Sequence, residues 1–142
     1  MIITTARKPS SKTRIFCKHL SRFTGLEYVT RGKTSLSDLA DECFLIVGEY
    51  RGNPASFNFF SNGRCVLSIR ASVSLDNEIV TGKAPVIEGD TPLASVLREV
   101  TGFKTGEISD RIIRVNDRIE FIDKGKPCII LKVLDIQGEG IA

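Results

Sequence analysis

The chain has 142 residues, 42% of them hydrophobic and 26% charged, with a formal net charge of +3. That composition supplies one compact core and excludes a disordered chain. No run of eighteen apolar residues is present to span a bilayer, and the charged stretch MIITTARKPSS excludes a secretory signal, so a cytoplasmic protein is expected.

In chain order, IITT (2–5) reads as a β-branched strand and RKPSS as a turn whose Ser10 or Ser11 caps a helix over about 12–23. Phe16, His19, Leu20 and Phe23 fall within about 100° of one another on that helix. Arg14, Lys18 and Arg22 form an i, i+4, i+8 ridge on roughly the opposite side. Gly25 ends the helix, LEYVT (26–30) is a second strand and RGK a basic turn. SLSDLADE (35–42) reads as a short helix capped by Ser35. CFLIVGEY (43–50) is nearly continuous apolar sequence, as in a central strand covered on both faces. RGNP turns the chain into ASFNFF and RCVLSIRASVSL, two strands joined at Asn62-Gly63, a hairpin-turn pair. The segment DNEIVTGKAPVIEGD is read as a junction. Beyond it TPLASVLREVTGF is a helix with Thr91 as cap, Pro92 in the first turn and Gly102 past the end. RIIRV, RIEFID and PCIILKVLDI are strands joined by ND and KGK. This order is α/β and not a helical bundle, with each half offering one helix against several strands.

The inventory for catalysis is poor. His19 is the only histidine and lies on the apolar side of its helix, where a core or boundary position is expected. Cys17, Cys43, Cys65 and Cys128 form no CxxC pair and are read as reduced core residues, so neither a metal site nor a disulfide framework is expected. GEYRG lacks the glycine and lysine spacing of a phosphate loop, and no dinucleotide fingerprint occurs. Glu49 beside Arg51 reads as a structural ion pair at a strand end. No cofactor, metal or small-molecule substrate is expected.

Charge distribution is the stronger signal. Residues 1–70 hold eleven Lys/Arg against five Asp/Glu, whereas residues 71–142 hold nine against twelve. The stretch from Arg7 to Arg22 carries six cations, and no acid occurs between Arg7 and Leu26. Ordinary solvated helix faces mix signs, because i, i+4 ion pairs support them and like charges cost a few tenths of a kcal/mol per pair. An excess of this kind is suited to a polyanion. Arg7, Lys8 and Lys12 surround a helix start whose free amides favour phosphate. Arg31 and Lys33 flank Gly32 after the second strand, and parallel strands would bring that loop to the same edge. The 14/18/22 ridge spans roughly 12 Å, about two phosphate spacings of a nucleic-acid strand. Base readout has less support, since Trp is absent and Tyr28, Phe57, Phe59 and Phe60 read as core.

TTARKPSSKTRIFCKHLSR, YVTRGKTSLSDL and FLIVGEYRGNPASFNFF, in that order, resemble the Brix-domain family of ribosome-biogenesis proteins, especially its small archaeal members. The likeness is carried by Arg7, Pro9 and Ser10, by Arg31 and Gly32, and by Glu49, Arg51, Gly52 and Pro54. RIIRVNDRIEFID resembles the family's later strands more loosely, and FNFFSNGRCVLS stands where longer members carry a His-Leu-Pro and Gly-Pro-Thr segment. The resemblance implies a single Brix domain over 1–142, made of a basic half (1–75) and an acidic half (76–142). Each half would be a small α/β sandwich like the anticodon-binding domain of class II aminoacyl-tRNA synthetases. It also implies a non-enzymatic factor that binds precursor ribosomal RNA, with ribosomal or other assembly proteins as partners. The expected RNA-binding residues are Arg7, Lys8, Ser10, Lys12, Arg14, Lys18, Arg22, Arg31, Lys33 and Arg51. Two other classes stay open on the residues alone. One is a scaffold docking an acidic partner; the other is a nuclease with Asp38, Asp41 or Glu49 on the basic face.

Overall fold

The computed structural model describes residues 1–30, 43–79, 84–104 and 109–138. Its elements, in order, are β1 (Ile2–Thr5), α1 (Ser11–Thr24), β2 (Glu27–Tyr28), β3 (Phe44–Tyr50), β4 (Asn53–Ser61), β5 (Arg64–Leu75), β6 (Val86–Glu88), α2 (Pro92–Thr101), β7 (Arg111–Val115), β8 (Arg118–Asp123) and β9 (Lys126–Gly138). The expected turn at 31–33 and helix at 35–42 lie outside the described residues.

Local chemistry accounts for both helices. Ser10 is extended, with φ −67° and ψ 165°, and its hydroxyl accepts from the Thr13 N–H at the start of α1. At the other end Gly25 takes φ 77°, which returns its N–H to the Ser21 carbonyl. Phe16, Leu20 and Phe23 are buried toward the sheet, each contributing about 1.5–3 kcal/mol. α2 repeats the scheme, with the Thr91 hydroxyl accepting from the Ala94 N–H and Gly102 at φ 74°. The exits match as well: Thr24 Oγ1 donates to Leu20 O and accepts from the Leu26 N–H, and Thr101 does the same with Leu97 and Phe103.

All the strands belong to one nine-stranded sheet in the order β2-β1-β3-β4-β5-β9-β8-β7-β6. β1 pairs in parallel with β2 and β3, β6 pairs in parallel with β7, and the other neighbours are antiparallel. Two-residue turns at Arg51-Gly52, Asn62-Gly63 and Lys124-Gly125 have positive φ at both positions, the geometry that matches strand twist.

Several expectations change. The two halves join in one sheet: β5 and β9 pair from Leu67 opposite Gly138 to Leu75 opposite Ile129, and this ladder makes the sheet continuous. The junction at 76–90 contains a strand, because the three residues of β6 find a parallel partner in β7, which no local pattern announces. β2 covers only two of the five residues expected. β3 is not covered on both faces; Leu45 and Val47 enter the core, while Ile46 and Gly48 are half-buried opposite them. On that second face Phe44 is covered by Phe60, stacked at 5.0 Å.

One core serves both halves. Arg111 of β7, 3% exposed, donates from Nη1 to the carbonyls of Arg22 (2.7 Å) and Phe23 (2.8 Å) at the end of α1. Its guanidinium also lies over the Phe23 ring at 5.3 Å, and Asp123 Oδ2 is 3.7 Å from Nη2. Phe23 in turn meets Phe121 of β8 edge-on at 5.3 Å. The C-terminal end of the basic helix is thereby anchored to the second half.

Candidate nucleic-acid interface

Because β1, β2 and β3 run in one direction, the loop after β1, the chain after Tyr28 and the turn after β3 leave the sheet on one edge. α1 begins at that edge. Ser10 ties the pieces together: its hydroxyl donates to the Gly52 carbonyl at 2.6 Å, and its N–H donates to Glu49 Oε1 at 2.5 Å. The segments RKPSS and GEYRG, far apart in sequence, therefore form one structural unit around Ser10.

This arrangement alters two expectations. Glu49 does not pair with Arg51. Instead its carboxylate sits at the start of α1, bonded to Ser10 and to the Thr13 hydroxyl, with Arg14 at longer range. The Thr13 hydrogen bond, then the Ser10 N–H, hold the Glu49 carboxyl below its ordinary value. A phosphate at the helix-start amides, as expected, would lie beside the protein's own carboxylate, which is bonded to the N–H of the capping Ser10. Ser10 correspondingly acts as cap and tie, with its N–H and its hydroxyl both engaged.

The cations surround this unit. Arg7, Lys8, Lys12, Arg14, Lys18, Arg22 and Arg51 are all exposed. Among the described residues, no salt bridge neutralises Arg7, Lys8, Lys12, Lys18, Arg22 or Arg51. Arg51, at the tip of the β3–β4 turn, lies over the ring of Tyr50 at 5.2 Å, and that ring is 65% exposed. Salt bridges among the described residues include Arg111–Asp123 and Arg114–Glu88 (3.2 Å), both in the second half. Arg31 and Lys33 lie outside the described residues.

A cleft of about 460 Å³ opens beside the ridge, lined by Thr5, Ala6, Lys8, Pro9, Arg14, Lys18, Tyr28 and Thr30. Tyr28 was expected in the core; it is half-buried, its ring lines the cleft, and its hydroxyl is buried without a partner among the described residues. Burial is the main cause that raises its pKa, with Cys17 adding to it and Arg14 opposing. Tyr50 is the other aromatic that the sequence pattern did not single out. Its exposure follows from strand alternation, since Glu49 turns toward α1 and its neighbour turns away.

The remaining chemistry is structural. His19 is half-buried, at the boundary of the helix. Cys17 and Cys128 are buried, whereas Cys43 and Cys65 are exposed, contrary to a core position for all four. Apolar neighbours misled here because Cys65 lies on β5 and Cys43 just precedes β3, where alternate residues face outward. Among the described residues no three His, Cys, Asp or Glu side chains gather in a metal-holding group. No described helix is long and apolar enough to cross a membrane.

No protein-family model matches the chain. A "Probable Brix domain-containing ribosomal biogenesis protein" of Methanosarcina mazei is 36% identical over 145 residues, covering 89% of this chain and 92% of that protein. A protein of the same name from Archaeoglobus fulgidus is 43% identical over 95 residues, covering 65% of this chain and 62% of its own. Among solved structures, Mil, described as an archaeal Imp4-like protein, matches with a TM-score of 0.81 at 30% identity, covering 97% of this chain and 99% of Mil. A ribosomal biogenesis protein of Aeropyrum pernix, itself named as probable, shares the fold at TM-score 0.73 and 22% identity.

Proposed function

Since the chain belongs to the Brix-domain family of ribosome biogenesis proteins, we propose that it binds precursor ribosomal RNA through its basic N-terminal face and assists subunit assembly without catalysing a reaction. The observation that carries this reading is the gathering of exposed cations around the Ser10–Glu49–Gly52 tie with, among the described residues, no acid in a salt bridge to most of them. Clustering like charges is unfavourable in the free protein and is relieved by a polyanion that releases its counterions on binding. Glu49 occupies the helix start, so backbone phosphates fall to side-chain cations. Arg7, Lys8, Lys12 and Arg51 hold the strand at the sheet edge, and Arg14, Lys18 and Arg22 follow it along α1. Ser10 shapes the face from within. Arg31 and Lys33 extend it on the sequence reading alone.

The order of the sheet supports reading the chain as two copies of one α/β unit, 1–75 and 76–142, of the anticodon-binding kind. From the β5–β9 pair outward, β4, β3 and β1 on one side match β8, β7 and β6 on the other, with β2 an added edge strand beyond β1, and the two helices share their caps and exits. In this reading the basic copy takes RNA and the acidic copy faces solvent or an assembly protein.

The test is incubation of the protein with labelled precursor rRNA and magnesium at physiological salt. Retention of intact RNA supports the proposal. Cleavage would make the protein a nuclease, and a stable complex with an acidic protein in the absence of RNA retention would make it a scaffold.

A further inference from the structure

The cleft beside α1 has more definition than a surface that only attracts phosphates. Its volume of about 460 Å³ falls within the range of about 300–1,000 Å³ that houses small ligands. Three cations line it, Lys8 from the loop after β1 and Arg14 and Lys18 from successive turns of α1. Its wall offers apolar area from Ala6, Pro9 and the Tyr28 ring. Two local features beside the cleft carry a cost in the free protein. Lys8 holds φ 57°, a left-handed conformation that non-glycine residues adopt at an expense and that concentrates at binding sites. The Tyr28 hydroxyl is buried with no hydrogen-bond partner among the described residues, although buried polar groups are satisfied almost everywhere in proteins.

Phosphate on one side and a flat apolar body on the other are the two parts of a nucleotide. We propose that the cleft seats one unpaired nucleotide of the bound RNA, its phosphate held by Lys8, Arg14 and Lys18 and its base packed against the Tyr28 ring and Pro9. This rests on the RNA-binding reading above and adds to it a substrate class, RNA with an unpaired or bulged position. A paired base cannot enter, because in an A-form helix the base faces are stacked within the duplex and only splayed bases reach aromatic side chains.

The experiment compares two fluorescein-labelled hairpins with the same stem, one fully paired and one with a single bulged uridine, by anisotropy. The protein should bind the bulged hairpin about ten-fold more tightly, which lies within what stacking one base on an aromatic ring provides. Ala6→Leu narrows the cleft without changing charge and should abolish this preference, so that the two hairpins bind alike. Lys18→Gln, on the exposed side of α1, should weaken the bulged hairpin more than the paired one. Equal affinity for the two hairpins overturns the nucleotide site and leaves the basic face standing. A preference that survives both substitutions also overturns it, since the bulge would then be read elsewhere. Failure of both hairpins to bind overturns the RNA reading and the site with it.

Discussion

Replacing Arg111 by Met keeps the aliphatic stem of a buried side chain and removes its guanidinium. Two carbonyls at the end of α1, those of Arg22 and Phe23, lose their donor, and Asp123 loses its cation at 3.7 Å. Hydrogen bonds from a charged donor contribute about 1.5–3 kcal/mol each, and breaking one side of a buried pair costs about 3–5 kcal/mol. These terms overlap because one group supplies them all, so the expected loss is about 3–5 kcal/mol and not their sum. For a chain of this size that lowers Tm by about 10 °C or more. Arg111→Lys, a point charge that cannot fork between two carbonyls, should fall between the two. Urea unfolding followed by far-UV circular dichroism measures all three proteins. A loss below about 1 kcal/mol for Arg111→Met would refute the claim that this arginine clamps the basic helix to the second half.

Other substitutions probe the tie at the helix start and the thiols. The Glu49 carboxyl is held below its ordinary value, so its stabilising contribution is complete above the unfolded pKa of about 4.3 and disappears as pH falls through the lower folded value. Glu49→Gln should therefore cost only a few tenths of a kcal/mol at pH 7, because solvent screens the exposed carboxylate, with the difference from the parent protein shrinking as pH falls below about 4.3 in thermal melts. Gly52→Ala places a Cβ in open space and should cost only about 1–2 kcal/mol for its left-handed backbone. Gly89→Ala brings a Cβ within 2.6 Å of the Val115 carbonyl oxygen, and should lower Tm well beyond Gly52→Ala. Burial pushes the Cys17 thiol up to about 12 and raises Cys128 as well. At pH 8 a thiol reagent should thus modify Cys43 and Cys65 in the native protein and reach the other two only on unfolding.

What the sequence makes legible is what neighbouring residues decide among themselves. Ser10 and Thr91 as caps, Gly25 and Gly102 as stops, and the Asn62-Gly63 turn each act within a few residues, and both helices appear within a residue or two of the expected bounds. The family likeness was legible too, through three ordered segments, two of which Ser10 joins in space. Pairing was not. Period-2 alternation shows that β5 and β9 each have a buried face, but nothing local in either strand says that they meet and fuse two halves into one sheet. β6 is too short to alternate, and its identity depends wholly on β7. Glu49 and Arg111 take their roles from contacts 39 and 88–89 positions away, at the cap and the end of α1, and Tyr28 lies beside Cys17 and Arg14 of the same helix. Charge excess survives folding as a signal because it needs no partner to exist.

The central proposal is that the exposed cations on α1 meet backbone phosphates, and salt dependence measures this directly. For a structured rRNA fragment, the slope of log Kobs against log salt is compared between the parent protein and Arg14→Glu/Lys18→Glu/Arg22→Glu. Three lost contacts at about 0.7–0.9 counterions each should flatten the slope by about 2–3 and weaken binding at every salt concentration. An unchanged slope and affinity in a triple variant that still folds would contradict the account.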